Sequence, residues 1–195
     1  MIMLPTVARK DLCIAFSKEL PRYFHKHEVD AILEEVKKYP KKHLLISLLW
    51  QTGARVSEIL NIRVKDIDFY GKAIRITTLK QKKRPQRVIP VKGNLLGLLG
   101  THIATNELKR DYRILNITRQ RAFQIVKEAV LKADFDIERA HPHTFRHSFA
   151  VYAVLSGVPI LVVKNWLGHS NIQNTLIYTQ VLGNDTKQFI ENMDF

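Results

Sequence analysis

Apolar residues recur along this chain at two different periods, and the change from one to the other divides it. Between His25 and Pro40, Val29, Ile32, Leu33 and Val36 fall at i, i+3, i+4 and i+7, the stripe of an amphipathic helix. Pro40 is expected to end that helix. The segment "KKHLLISLLWQTG" is richer in apolar residues and predicts a more buried second helix, with Gly53 as its stop. "ARVSEILNI" resumes as a short third helix that turns Val56, Ile59 and Leu60 to the core. From Val64 to Val91 the period becomes two, broken at "YG" and at "QKKRPQ", which predicts three short antiparallel strands. Helical spacing returns from Asn94 to Leu108, and again after Thr118, a candidate N-cap. The rest reads as helix: "HTFRHSFAVYAVLSG", "PILVVKNWLG", "NIQNTLIYTQVL" and a last turn or two near "TKQFIENM". Residues 1–20 show no period and read as an N-terminal arm or linker. The chain is therefore α+β, mainly helical, with one small antiparallel sheet.

Composition narrows the partner. The 195 residues suit one domain or slightly more, and 46% hydrophobic content is enough for a sizeable core. The formal net charge of +13, with Lys and Arg spread from Arg9 to Lys187, points to a polyanion. Nucleic acid fits that spread better than a membrane surface, where basic residues usually concentrate in one amphipathic helix. Cys13 is the single cysteine, which excludes an intramolecular disulfide and a cysteine zinc site. The apolar runs are too short to span a bilayer and the N-terminus lacks a signal-peptide pattern, so a reducing cytoplasm, in contact with the nucleoid, is expected.

Candidate chemistry gathers at "HPHTFRHSFA", residues 141–150. On a helix His143, Arg146, His147 and Ala150 share one face, while Phe145, Phe149 and Tyr152 make another that is expected to be the core side. His143 and His147 have metal-ligand spacing, but Arg146 between them would repel a divalent cation and no acidic residue completes the set. Arg and His on one face suit an anion, since a guanidinium offers a planar fork to phosphate oxygens. Satisfied structural histidines are the plainer alternative. In "WLGHSNIQNTLIYT", Gly168 closes one helix, His169 stands in the turn, and Ser170 with Gln173 forms a capping-box pattern. Ile172 and Leu176 are expected to face the core, leaving Tyr178 displaced from that stripe. In "TGARVSEIL", Arg55 and Glu58 are i, i+3 neighbours, the spacing of a salt bridge and also of an aimed arginine.

Taken together, "TGARVSEIL", "HTFRHSFA" and "LGHSNIQNTLIYT" resemble, in order and spacing, the motif boxes of the tyrosine recombinase (phage integrase) family, over roughly residues 20–183. The resemblance implies that family's catalytic-domain fold over 21–183, and a site-specific recombinase that cuts and rejoins double-stranded DNA without cofactor, metal or ATP. It further implies that Arg55, Lys80, His143, Arg146, His169 and Tyr178 surround one scissile phosphate. Arg55 and Arg146 would stabilise its non-bridging oxygens and His169 would add a donor. Tyr178 would be the nucleophile, its phenol (ordinary pKa ~10) relieved of its proton by His143. The product would be a 3′-phosphotyrosyl link and a free 5′-hydroxyl, with Lys80, or Lys82 one alternate position along, protonating the leaving oxygen. Glu58 and His147 would support the catalytic groups from behind. Lys82, Lys83, Arg84 and Arg87, crowded into the second hairpin, would touch DNA.

Family members commonly carry a further N-terminal helical domain, and only about twenty residues precede the first helix here. The chain thus reads either as a catalytic fragment or as a minimal, invertase-like member. Phe189, Ile190, Met193 and Phe195 suggest a tail, 184–195, exchanged between protomers of a DNA-bound tetramer, with accessory DNA-bending proteins as further partners. A DNA-binding regulator that keeps the fold without turnover is the alternative reading. A metal-dependent nuclease lacks the acidic cluster it would need.

Overall fold

The computed structural model describes residues 19–78 and 85–183. The expected tail 184–195, most of the arm 1–20 and the hairpin tip 79–84 lie outside these residues.

Helix α1 (Lys26–Val36) buries Val29, Ile32 and Val36, as its stripe predicts, and ends at Val36. Pro40 does not close α1 but opens α2 (Pro40–Thr52). At a first helical position proline loses no intrahelical hydrogen bond and its φ is already helical. Gly53 stops α2 in the left-handed region, at φ 57°, with its N–H donating to the Leu49 carbonyl at 3.2 Å. Helix α3 (Val56–Ile59) follows, with Val56, Ile59 and Leu60 all buried.

The period-two segment forms the expected three-stranded antiparallel sheet, β1 (Ile67–Asp68), β2 (Ala73–Thr77) and β3 (Gln86–Pro90), in that spatial order. Its register aligns Ile67, Ile74 and Ile89 in one row across the sheet, and all three are buried. Cross-strand rows of this kind are the unit that holds a sheet together. A one-residue slip would send the whole row to the solvent face.

Helix α4 (Gly93–Thr105) packs on α2, and α5 (Arg119–Lys132) packs on α1, α2 and α3. Thr118 is the N-cap of α5, its Oγ1 accepting from the Arg121 N–H at 3.1 Å. Helices α6 (Pro142–Leu155), α7 (Ile160–Leu167) and α8 (Gln173–Leu176), with a 3₁₀ turn over Ile177–Leu182, complete the described chain. Ser170 does not cap α8: Ile172 stands at its N-cap, and the Gln173 N–H donates to Asn171 Oδ1 at 3.0 Å.

Two apolar clusters result. The larger joins α1 to α5 and the sheet and takes in Phe145, whereas the smaller joins α6, α7 and the last turn and contains Ala150, Val151, Val154, Leu167 and Tyr178. Helix α6 runs between them, packed on α2 on one side and on the 177–182 turn on the other. This covering corrects the expected faces. Arg146 and Ala150, on the stripe read as polar, are buried, whereas Tyr152 on the supposed core stripe is 42% exposed. In the last segment Thr175 and Tyr178 are buried, and Ile172 and Leu176 only half so. Among the described residues, no helix is long and apolar enough to cross a membrane.

Gly53 is required twice over. Its φ is positive, and a Cβ there would stand 2.3 Å from a Phe149 ring carbon. Gly53→Ala is therefore expected to destabilise the domain by about 2–4 kcal/mol, combining left-handed strain with a forced displacement of the ring. Urea unfolding would read this as a lower midpoint at unchanged slope.

Candidate active site

The C-terminal ends of α2 and α7 meet at one guanidinium. Arg146, only 3% exposed, donates from Nη1 to the Gly53 carbonyl at 2.8 Å and from Nη2 to the Leu167 carbonyl at 2.7 Å. Helix C-termini present unpaired carbonyls with partial negative charge, so a cation is favoured there. A guanidinium has more N–H donors than these two carbonyls use. Burial lowers the Arg146 pKa to about 9, with Arg55 pushing the same way. It stays charged at neutral pH.

Arg87 makes the neighbouring connection and corrects an expectation. It does not project from the sheet toward a ligand. Its side chain is 10% exposed and donates to Glu58 Oε2 at 2.7 Å, to Thr78 Oγ1 at 2.9 Å and to the Trp166 carbonyl at 2.7 Å. A basic run in sequence suggests a solvated hairpin, but β3 places this one position over the α7 terminus and beside a buried carboxylate. Gly168 follows that terminus at φ 67°, and a Cβ on it would lie 3.0 Å from Arg87 Nη1. Thus the glycine before His169 provides both the left-handed turn and the room for Arg87. Residues Lys80, Lys82, Lys83 and Arg84 fall outside the described residues.

Glu58 is the carboxylate shared by this system. Its side chain is 1% exposed, and it accepts from the Arg55 backbone N–H at 3.0 Å and from Arg55 Nη1 at 3.2 Å besides Arg87. Burial alone would raise its pKa, but the hydrogen bond and charge of Arg87, then Arg55, hold it below the ordinary carboxylate value. Arg55 keeps 18% of its side chain exposed, so its guanidinium is braced from behind and open in front.

Around these charges stand the aromatic and imidazole groups. His169 Nδ1 lies 2.9 Å from Thr175 Oγ1. Burial lowers the His169 pKa to about 3, with Arg146 and Arg55 adding to the shift. Tyr178 is 2% exposed, and its hydroxyl lies 2.8 Å from His147 Nδ1. Burial raises the phenol to about 12, although Arg146 and Arg55 both pull it down and so lie within electrostatic reach. The group touching the phenol is thus His147, which the sequence reading placed behind. His143, expected to take that proton, is an exposed residue whose ring centre is 6.3 Å from that of His147.

One feature escaped the sequence reading. Beside α3 a cavity of about 570 Å³ is lined by Ser57, Asn61, Asn116, Arg113, Arg119 and Arg121. It is concave and cationic, the character of a surface that follows a phosphate backbone. Its arginines are scattered over 113–121 without a motif, and only the start of α5 brings them beside α3.

The geometry brings together Arg55, Glu58, Arg146, His147, His169 and Tyr178, and comparison with known proteins says what else is built this way. A profile of the phage integrase family matches residues 22–184. The chain belongs to the phage integrase, or tyrosine recombinase, family. Among curated members it is 34% identical over 169 residues to a tyrosine recombinase of Pseudothermotoga lettingae, covering 85% of this chain and 58% of that one. It is 30% identical over 176 residues to the tyrosine recombinase XerC of Staphylococcus aureus, covering 84% and 58%. The chain thus spans somewhat over half the length of these family relatives. Solved recombinases share the fold. XerH bound to palindromic difH substrate, in a post-cleavage complex, superposes with a TM-score of 0.74 at 25% identity, over 89% of this chain and 52% of XerH. The catalytic domain of bacteriophage HP1 integrase does so at 0.69 and 24%, over 88% and 94%.

Two measurements probe this recombinase site as a structure. Arg87→Ala would leave Glu58 buried with half its partners, and the expected loss is about 3 kcal/mol in urea unfolding. The double variant with Glu58→Gln should lose less than the sum of the single changes. Stability should also fall on acidification from about pH 6.5. His147 and His169 have folded pKa values of about 4 and about 3 against an unfolded 6.5. The unfolded chain therefore binds more protons in that window, so the stability is present above pH 6.5 and lost as pH falls toward 3. Glu58, depressed below 4.5, adds to the loss only at the acid end. Urea midpoints between pH 7 and 4 would record the slope, and His169→Asn should flatten it.

Proposed function

We propose that this chain is the catalytic unit of a site-specific recombinase acting on double-stranded DNA, which cuts and rejoins strands through a 3′-phosphotyrosyl link at Tyr178. The observation that carries the reading is the convergence of Arg55, Arg146 and His169 on the surroundings of the Tyr178 hydroxyl, whose pKa both arginines lower. Transfer of a phosphodiester requires donors placed beforehand at the oxygens where charge develops. Two guanidiniums, one braced by Glu58 and one by helix carbonyls, supply them without a metal ion. The ester energy is kept in the phosphotyrosyl link, so rejoining to another strand needs no ATP. A lysine of the hairpin, Lys80 by the family resemblance, protonates the 5′-oxygen as it leaves. The family membership and the likeness to XerH in complex with its DNA substrate support the same chemistry. On paired sites the reading carries a tetramer, with 184–195 passing between protomers.

Covalent trapping tests it. The protein is incubated in EDTA at low salt with end-labelled, nicked genomic fragments of the source organism, then denatured. A DNA adduct is expected that survives denaturation and is absent from Tyr178→Phe, which should still bind DNA. Cross-linking before denaturation should give species up to a tetramer on the trapped duplex. Binding without any adduct would overturn the reading in favour of a silent DNA-binding regulator.

A further inference from the structure

We infer that His147 is the residue that takes the Tyr178 hydroxyl proton during strand cleavage and returns it during rejoining. The inference rests on the recombinase reading above and names a proton acceptor within it. The family resemblance gave that part to His143. The geometry points one ring further in.

Contact comes first. His147 Nδ1 is 2.8 Å from the Tyr178 oxygen, with the ring centres 5.9 Å apart and the planes inclined at 42°. This is a hydrogen-bond distance to the atom that would attack phosphorus, the placement a general base requires. Need comes second. A phenol pushed up to about 12 by burial is protonated at neutral pH, so it cannot attack as a standing phenolate. The acceptor must also be free to accept. Burial, then the positive charge of His143, Arg146 and His141, lowers His147 to about 4, which keeps the imidazole neutral. A neutral ring that accepts at Nδ1 carries its proton on Nε2.

The groups facing this pair are known from each packed element. His141, His143 and Arg146 lie on or next to α6, His169 comes from the turn after α7, and Tyr178 from the last turn. Arg55 and Arg146 are also where a phosphate would sit. Its negative charge would offset the cations that now disfavour imidazolium, so substrate entry itself makes His147 more basic. His143 and His141 continue the row of rings outward, at 6.3 Å and then 5.3 Å between centres. Their protonation tunes His147 from the exposed side.

In cleavage the Tyr178 O–H bond breaks and the proton forms an N–H bond at His147 Nδ1. The phenolic oxygen bonds to phosphorus, the bond from phosphorus to the 5′-oxygen breaks, and that oxygen takes a proton from the hairpin acid. In rejoining a 5′-hydroxyl attacks the phosphotyrosyl phosphorus and gives its proton to that same acid. The Tyr178 oxygen leaves and recovers its proton from His147.

The test uses the full chain and the duplex recovered from trapping, resynthesised with a nick and, in a second version, with sulfur replacing the bridging 5′-oxygen. Adduct formation is timed against pH for the wild type, His147→Ala, His147→Asn and His143→Ala. DNA affinity and unfolding midpoints establish that each variant is folded. His147→Ala and His147→Asn are both expected to cleave about 10²–10⁴-fold more slowly. Asparagine keeps a hydrogen bond to the phenol but cannot take its proton, so its failure separates proton transfer from positioning. Imidazole in the buffer should restore His147→Ala, following the free-base fraction. The sulfur substrate should not restore it, because departure of the 5′-group is not the step impaired. Cleavage by His147→Asn close to the wild-type rate would reduce His147 to a positioning residue and overturn the inference. Faster cleavage by His147→Ala would make the contact a latch on the resting nucleophile, also overturning it. An imidazole-restored loss in His143→Ala alone would move the acceptor outward to His143. A wild type that binds DNA yet forms no adduct would instead sink the recombinase reading itself.

Discussion

The contact on which the rest of the site depends is a buried guanidinium shared by two helix ends. Arg146 donates to the Gly53 carbonyl after α2 and to the Leu167 carbonyl at the end of α7. Arg87 takes the Trp166 carbonyl one residue earlier. Each carbonyl would otherwise be an unpaired acceptor in a dry place, at a cost of about 1–3 kcal/mol apiece. The two arginines satisfy them and fix where α7 ends. Since His169 follows two residues after Leu167, across a single glycine, its position is set by the same bonds. Since Arg55 follows two residues after Gly53, so is the start of α3. The backbone geometry of three motif boxes is thus tied to one side chain from the middle box.

The charge balance of this region follows from the same contacts. Arg55, Arg87 and Arg146 share one buried carboxylate, Glu58. Three fixed cations against one anion is a costly arrangement for a folded domain left to itself, because like charges in a poorly solvated site repel strongly. On the recombinase reading, an entering phosphate would relieve that repulsion. Arg87 is spent wholly inside, so the excess is presented by Arg55 and Arg146. Burial is the main cause of the depressed values of His147 and His169, and the same cations add to it.

How much of this was legible in the sequence depends on what kind of signal each part leaves. The sheet was clear because apolar and polar residues alternate along much of it, as in Asp66, Ile67 and Asp68 or Arg75, Ile76 and Thr77, and alternation has one simple structural meaning. Gly53, Thr118 and the stripe of α1 were clear for the same reason: cap and period are local properties. The faces of α6 were not. A helix covered on two sides carries no single apolar stripe, so Arg146 was read as outward when it is among the most buried polar residues. Arg87 belongs to a basic run in the sequence, and only the register of β3 shows it to be a buried tie. His143 was preferred to His147 because the family resemblance pointed to it, while spacing along a helix shows only that the two share a face. Which of them reaches Tyr178, 31 positions later, depends on how the last turn packs.

That packing sets two demands against each other. Tyr178 belongs to the smaller apolar cluster with Ala150, Val151, Val154 and Leu167, and it helps to hold the last turn on α6. Burial that makes it a good core residue also raises its pKa and takes its oxygen from solvent. Arg146 and Arg55 pull the phenol down, but burial outweighs them and holds it up at about 12. On the recombinase reading, activation would come with an arriving phosphate held by Arg55 and Arg146. Its charge would make His147 a better acceptor of the phenolic proton while it presents phosphorus to the oxygen. Without it, Tyr178 is a well-packed core phenol, so on that reading reactivity would be coupled to substrate by the same burial that stabilises the fold.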